Sequence, residues 1–514
     1  MQAMTSAIAR AAPRALRARR FVEYTGRMQV REVGRLPNGL PPDDDHPYRT
    51  GAWRPTFVEY DADELDVVEG AIPEALAGVY LRNTENPVLP SIGRYHPFDG
   101  DGMVHAIRFA GGRATYRNRF VRTAGLAAEL AAGEPLWAGI IESPAKSRRP
   151  GWGARGKMKD ASSTDIVVHA GRALTTFYQC GDAYAMDPTT LAQHGPASWV
   201  PEGGVSAHPK LDPATGELLF FNYTTTAPYM QYGGLDATGA LVHRQPVPLP
   251  GPRLPHDMAF TEHYAILNDL PLFWDPELLA QGTYRPRFRP DLPSRFAVVP
   301  RRGGDARWFE AQPTYVLHWI NAYEDGDEIV LDGYFQTDPV SRPDPADGVY
   351  GPLKRMVDIH AMGARPHRWR FDLRTGACRE ERLDEAISEF PSIHYARPGR
   401  RHRYVWSMTA LRGWFLFDGI VRYDLETGAE QRWRYPEGVY ASESPMAPRP
   451  GATAEDDGWL VTFTTDVARD SSQCHVFDAA RISDGPVARV ALPARIASGT
   501  HACWAPASAL TAPG

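Results

Sequence analysis

After residue 50 the chain is dominated by short runs in which Val, Ile, Tyr, Phe, Trp and Thr alternate with polar residues: ATYRNRFVRT, GELLFFNYTT, EIVLDGYFQTD, HRYVWSM, GWLVTFTTD and CHVFDAARI. A period of two gives each face of a pleated strand its own set of side chains, and the Gly, Pro, Asp and Asn clusters between runs supply turns. One turn signal recurs, as LDPATGEL (211–218), FDLRTGAC (371–378) and YDLETGAE (423–430). Aspartate opens each turn and glycine takes a positive-φ corner, which predicts strand, tight turn, strand. The last two copies recur at a spacing of about 50 residues, the length of one four-stranded propeller blade with its loop. The pattern predicts an antiparallel all-β array, and a propeller is one form of it. Helical character is confined to short pieces such as TAGLAAELAAGEPLWAGII (123–141). That stretch reads as a core helix or as an apolar patch that meets a membrane surface or gates a pocket, and its periodicity favours the core.

Composition narrows the picture. The chain has 514 residues, 43% apolar and 23% charged, which supplies a large core; closed β architectures of this length occur as one domain. A net charge of −6 gives no attraction to nucleic acid. The four cysteines, Cys180, Cys378, Cys474 and Cys503, form no CxxC pair, so neither a disulfide framework nor a cysteine zinc site is expected. A reducing, cytoplasmic setting fits. No run approaches the roughly 18–20 apolar residues of a spanning helix. The start, MQAMTSAIARAAPRALRARRFVEY, has five arginines and no acid before Glu23, and lacks the apolar region of a secretory signal. It reads as a loose basic arm, with a transit peptide or a membrane-surface helix as alternatives. Residues 1–50 are therefore taken as arm and extended segment, and 51–514 as a single domain.

Several motifs fail on context. GWGARG (151–156) fits GxGxxG, but it follows SRRP and precedes KMKDASS, so no strand and helix flank it to cradle a pyrophosphate. There is no Walker loop, HExxH or GxSxG, and FDGDGMVH (98–105) is too short for a calcium loop. Nothing here predicts NAD, flavin or haem. Among the sixteen histidines, four adjoin strand ends: His208 in GVSAHPKLD, His256 in RLPHDMAF, His318 in VLHWINAYED and His501 in SGTHACW. Singly, each reads as a hydrogen-bonded structural histidine. As a set, they would have to converge from four parts of a closed β array, and spacing alone does not show that they do.

At these residues the chain resembles the carotenoid cleavage oxygenase family, which includes carotenoid and apocarotenoid oxygenases, lignostilbene dioxygenases and isoeugenol-type oxygenases. The resemblance runs from about residue 52 to 506. It is carried by GVYLRNTENP, YHPFDGDGMVHAIRF, GVSAHPKLDPATGELLFFNY, LPHDMAFTEHYAIL, NAYEDGDEIVLDG, EFPSIHYARPGRRHRYVW, SESPMAPRPG and THACW. It implies a seven-bladed β-propeller with helices and loops capping one face. It also implies one Fe(II) per chain on the axis, held by His208, His256, His318 and His501, with O₂ as co-substrate. Four neutral imidazoles leave positions open for O₂. Cleaving C=C with both oxygen atoms draws all four electrons from the alkene, so no reductase partner is needed. The family places glutamates behind three of the histidines. Glu389 matches the position behind His318 and Glu443 the one behind His501. Gln179 falls where a glutamate would face His256, a departure that removes a negative charge.

The phenolic-alkene cleavers of the family carry a tyrosine and a lysine that clamp the phenol. Here Ile141 falls near the tyrosine position and Tyr178 near the lysine position, so that clamp is absent. With Phe98, these residues are the expected substrate pocket. An apolar lining favours a polyene such as an apocarotenoid. An aryl alkene of stilbene, isoeugenol or vinylguaiacol type is the alternative, since Tyr178 offers a hydroxyl of its own. The partner expected is thus a hydrophobic alkene, with the 123–141 stretch as a tunnel mouth in peripheral contact with a membrane. A non-catalytic propeller scaffold and a zinc hydrolase stand further off. Cys503 and Trp504 are expected to pack, not to ligate.

Overall fold

The recurrent turn behaves as its chemistry dictates. In a computed structural model that describes residues 28–154, 156–281, 285–340, 342 and 348–511, Asp212, Asp372 and Asp424 each open a hairpin. Asp372 Oδ1 accepts the N–H groups of Arg374 and Thr375 at 2.8 and 2.9 Å, and its carbonyl accepts that of Gly376 at 2.9 Å. Gly376 lies at φ +83°, where a Cβ is disfavoured. The same turn occurs a fourth time, one residue shorter, at LDATGAL (235–241). There it joins Met230–Leu235 to Leu241–Pro246.

The hairpins build antiparallel sheets. Among the described residues four sheets have four strands each, and others have two, six and ten. The last strands of the four-stranded sheets, such as Leu241–Pro246 and Cys378–Arg382, are largely exposed. In Cys378–Arg382 the run CREER gives the edge charges that discourage pairing with another chain. Inner strands such as Leu218–Tyr223 are wholly buried.

Successive sheets pack face to face in chain order. Val79 and Leu81 pack with Ile166 and Val168. Leu174 meets Leu218 and Phe220, Phe221 and Tyr223 meet Leu267 and Val299, and Phe296 and Val298 meet Leu331 and Trp369. Tyr334 then packs in one cluster with Val405 and Trp406. The circuit closes where Tyr80 and Ile107 of the first sheet pack on Val461 and Phe463 of the last. Two strand exchanges lock this closure. Ala502–Pro506 pairs with Gly78–Arg82 in the first sheet, and Val67–Gly70 pairs with Pro486–Ala491 in the last.

Helices are few and short. In the 123–141 stretch only Ala124–Ala132 is helical, begun by the Thr123 side chain accepting the Leu126 N–H and ended by Gly133 at φ +70°. Leu126 packs with Val88, Met103 and Phe120, and Leu136, Trp137 and Ala138 are buried. The stretch is core in part, with Ala124, Ala127, Ala131 and Ala132 exposed and Ile140 and Ile141 on cavity walls. No helix among the described residues is long and apolar enough to cross a membrane. The four cysteines are all unpaired. Within residues 1–50, Gln29–Arg35 is an edge strand on Val58–Asp63. The arginine-rich start lies outside the described residues.

Candidate metal centre

Each of the four histidines stands just before a strand at the edge of its sheet. His318 directly precedes Trp319–Asp325 and His501 directly precedes Ala502–Pro506. His208 and His256 come shortly before Lys210–Leu211 and Ala259–Phe260. All four are buried, and one ring nitrogen from each lies within 4.8 Å of the others. The Nε2 atoms of His208 and His256 are 3.3 Å apart, and His318 Nε2 is buried with no hydrogen-bond partner.

The loops that carry these histidines are tied together. Asp257, next to His256, accepts the N–H of Trp319, next to His318, at 2.9 Å. Its other oxygen pairs with Lys210 Nζ at 2.6 Å, two residues beyond His208. Asn83 N–H donates to the His501 carbonyl at 2.9 Å, and Thr500 Oγ1 donates to the Thr164 carbonyl at 3.0 Å. The backbone is strained here. His208 lies at φ +64° and Phe390 at φ +54°, conformations that β-carbons resist and that persist only where surrounding contacts impose them.

Carboxylates orient two of the rings. His318 Nδ1 is 2.7 Å from Glu389 Oε2, and Glu389 is wholly buried. A carboxylate oxygen there makes Nδ1 the protonated nitrogen and leaves the Nε2 lone pair pointing inward. The same oxygen accepts the Phe390 N–H at 2.8 Å. His501 Nδ1 is 3.3 Å from Glu443 Oε2, which also accepts the Ala502 N–H at 2.6 Å. Burial pushes His256 down to about 3 and holds His208 and His318 well below the usual range, so these three imidazoles are neutral with lone pairs free. Burial opposes a charge on His501, but the Glu443 carboxylate together with Asp165 and Glu85 outweighs it and raises that ring. Burial raises Glu389 well above an ordinary carboxyl group. An orphaned Nε2 and converging neutral imidazoles in a buried pocket are the donor set a transition-metal dication accepts.

Gln179 is buried beside His256 on the wall of a 370 Å³ cavity, but its side-chain amide makes no hydrogen bond to that ring. The geometry therefore pairs carboxylates with His318 and His501 and leaves His256 without one. Phe98 and Tyr178 line the same cavity with Tyr223, Trp274 and Phe415. Ile141 does not reach it. It lines an adjoining 870 Å³ cavity, and its neighbour Ile140 borders both. Tyr178 stands in the turn after the strand Arg172–Thr176 and Phe98 in the short 3-10 helix Pro97–Asp99, whereas Ile141 lies in a loop beyond the Ala124–Ala132 helix. Phe390 is a residue the sequence does not mark. Its ring stacks on His501 at 4.7 Å and meets His318 edge-on at 4.6 Å, filling the gap between two of the clustered histidines. Trp504 packs between the first and last sheets and Cys503, partly buried, between the first and second, with neither among the clustered donors.

The family model described as RPE65, retinal pigment epithelial membrane protein, matches residues 53–506. The chain belongs to the carotenoid cleavage oxygenase family. It is 32% identical over 474 residues to carotenoid 9,10(9′,10′)-cleavage dioxygenase 1 of Arabidopsis thaliana, covering 85% of this chain and 86% of that protein. It is 31% identical to lignostilbene-α,β-dioxygenase isozyme III of Sphingomonas paucimobilis, covering 90% and 97%. Its fold superposes on the crystal structure of Pseudomonas brassicacearum lignostilbene dioxygenase with a TM-score of 0.80 at 28% identity, covering 91% of this chain and all of that one. The relatives are named dioxygenases, and the four-histidine group is the metal-binding candidate of a chain in an oxygenase family.

Proposed function

We propose that this chain is a non-haem Fe(II) oxygenase that cleaves a conjugated C=C bond of a carotenoid or apocarotenoid with O₂. The reading rests on one observation above all: four buried histidines converge beside an apolar cavity that one of them, His256, helps to line. The four imidazoles would hold the iron, and the iron would supply the activation of O₂ toward an alkene. In the overall reaction one C=C bond is lost and two C=O bonds form. The alkene carbons supply four electrons to O₂, and no NAD, flavin or haem takes part.

The protein's own groups have three tasks. His208, His256, His318 and His501 hold the metal, with Glu389 and Glu443 fixing the tautomers of the last two. Phe98, Tyr178, Trp274 and Phe415 exclude water and lay the alkene against the His256 side. The ring of sheets keeps the ligands from relaxing apart. We read that ring as a seven-bladed propeller spanning 51–514, in which the ten-stranded sheet is two blades joined through the short Val439–Ala441 strand.

A second reading, cleavage of a stilbene- or isoeugenol-type aryl alkene to an aromatic aldehyde, draws support from Tyr178 on the cavity wall and from the lignostilbene relatives. The two are separated by loading the protein anaerobically with Fe(II) and adding O₂ with apocarotenals, stilbenes or phenylpropenes. Aldehyde products are then identified by mass spectrometry. Apocarotenal cleavage with the aryl alkenes untouched is expected. Products from the aryl alkenes alone select the second reading, and iron binding with no cleavage of any of them sinks both.

A further inference from the structure

Resting on the metal reading above, we infer that Asp165 is a third carboxylate positioning the metal site, acting on His208. Because His208 Nε2 faces His256 Nε2 at 3.3 Å, its Nδ1 points away from the centre. There it lies 3.4 Å from Asp165 Oδ2. The same oxygen accepts the His208 backbone N–H at 3.0 Å, so one carboxylate holds the main chain of this residue and stands within ion-pair range of its ring. That grip falls where His208 sits at φ +64°, a conformation that needs an outside constraint.

Asp165 is itself well anchored. It begins the strand Asp165–His169 opposite Thr176, its Oδ1 accepts the Ile166 N–H at 2.7 Å, and its carbonyl accepts Asn83 Nδ2 at 3.2 Å. Lys210, the cation near His208, is paired at 2.6 Å with Asp257.

Asp165 and Gln179 flank one hairpin and serve opposite sides of the metal site. Gln179 lies with His256 on the 370 Å³ apolar cavity. Asp165 lines a separate 270 Å³ cavity with Lys210 and Cys503. Position 179 thus offers His256 a neutral amide, and Asp165 places a carboxylate behind His208 instead.

The test uses full-length wild type, Asp165→Asn and Gln179→Glu. The asparagine keeps an acceptor for the His208 N–H but removes the charge, and circular dichroism checks that the fold survives. Fe(II) affinity is measured anaerobically against a chromophoric chelator, and the visible bands of the Co(II) form report ligand geometry. Asp165→Asn is expected to weaken Fe(II) binding about 10- to 100-fold and shift the Co(II) bands. Gln179→Glu adds a carboxylate on the His256 side and is expected to tighten Fe(II) binding while leaving the Asp165 effect intact. Unchanged affinity and unchanged bands in Asp165→Asn overturn the inference, whereas wild type that binds no metal overturns the metal reading instead. A second arm needs no variant. In Zn(II)-loaded wild type labelled with ¹⁵N-histidine, three ring N–H signals should move downfield on loading, and only two would refute a role for Asp165.

Discussion

Glu389 shows what a single side chain can decide. It is wholly buried, its Oε1 has no partner, and its Oε2 serves both His318 and the Phe390 N–H. Replacing it with alanine leaves a buried imidazole N–H without an acceptor and frees Phe390 from its φ +54° conformation. Glu389→Ala should therefore bind Fe(II) roughly 10- to 100-fold more weakly than wild type, read by chelator competition. Phe390→Ala should retain more of the affinity, since it loses packing and no hydrogen-bond acceptor for a ligand. Residues of this kind were unevenly legible in the sequence. A lone histidine says little, and His208, His256, His318 and His501 stood out only as an ordered set of motifs. Asp165 and Phe390 act across long stretches of chain through geometry, so no local pattern announces them. Ile141 was assigned to the main cavity by position in a motif, but a loop register of one residue puts Ile140 there instead.

At the scale of the element, hairpins were the readable unit because their chemistry is local. An aspartate that accepts successive N–H groups and a glycine at positive φ need only five residues to declare themselves, and three copies were visible. The fourth, at Asp236, escaped because its turn is one residue shorter. Gly428 provides a clean test of the motif. It lies at φ +71°, and a Cβ there would meet nothing within 4 Å, so Gly428→Ala isolates the conformational cost. It should destabilise the protein by about 1–2 kcal/mol in denaturant unfolding without altering metal content. The strand Ala502–Pro506 gives the opposite case, where element and site are one. Ending the chain before His501 removes a ligand and the strand that pairs with Gly78–Arg82. Such a protein should lose both metal binding and cooperative unfolding, whereas His501→Ala in the full chain should lose the metal and keep the fold. Equal thermal melts for the two would refute this division. The helix in 123–141 was shorter than its apolar run, since Gly133 stops it and the remaining apolar residues pack as loop.

The whole molecule depends on sheets packed in a circuit, and that circuit buries titratable groups outside the four-histidine cluster. His475 lies in the last sheet, where burial and the nearby Arg489 cation push it down to about 3. Its ordinary value is near 6.5, so below that pH the unfolded chain binds a proton that the folded chain refuses. Stability is therefore full above pH 6.5 and falls as pH drops toward 3, by about 1.4 kcal/mol per pH unit for this one group. His96, buried and also pushed to about 3, adds to the same slope. Thermal melts from pH 7.5 to 4.5 should show this decline, and His475→Gln should flatten it. A variant with the same slope as wild type would remove His475 from the account. The all-β class and its antiparallel order could be read from periodicity. The closure could not, because the pairing of Val67–Gly70 with Pro486–Ala491 spans most of the chain.

That closure has a consequence in time. A ribosome delivers His208, His256 and His318 first, and at typical rates the stretch on to His501 takes roughly 10–40 s to synthesise. During that interval the nascent chain holds three imidazoles and an open ring. The fourth arrives on the strand that joins the last sheet to the first, so closing the circuit and completing the four-histidine set are the same event.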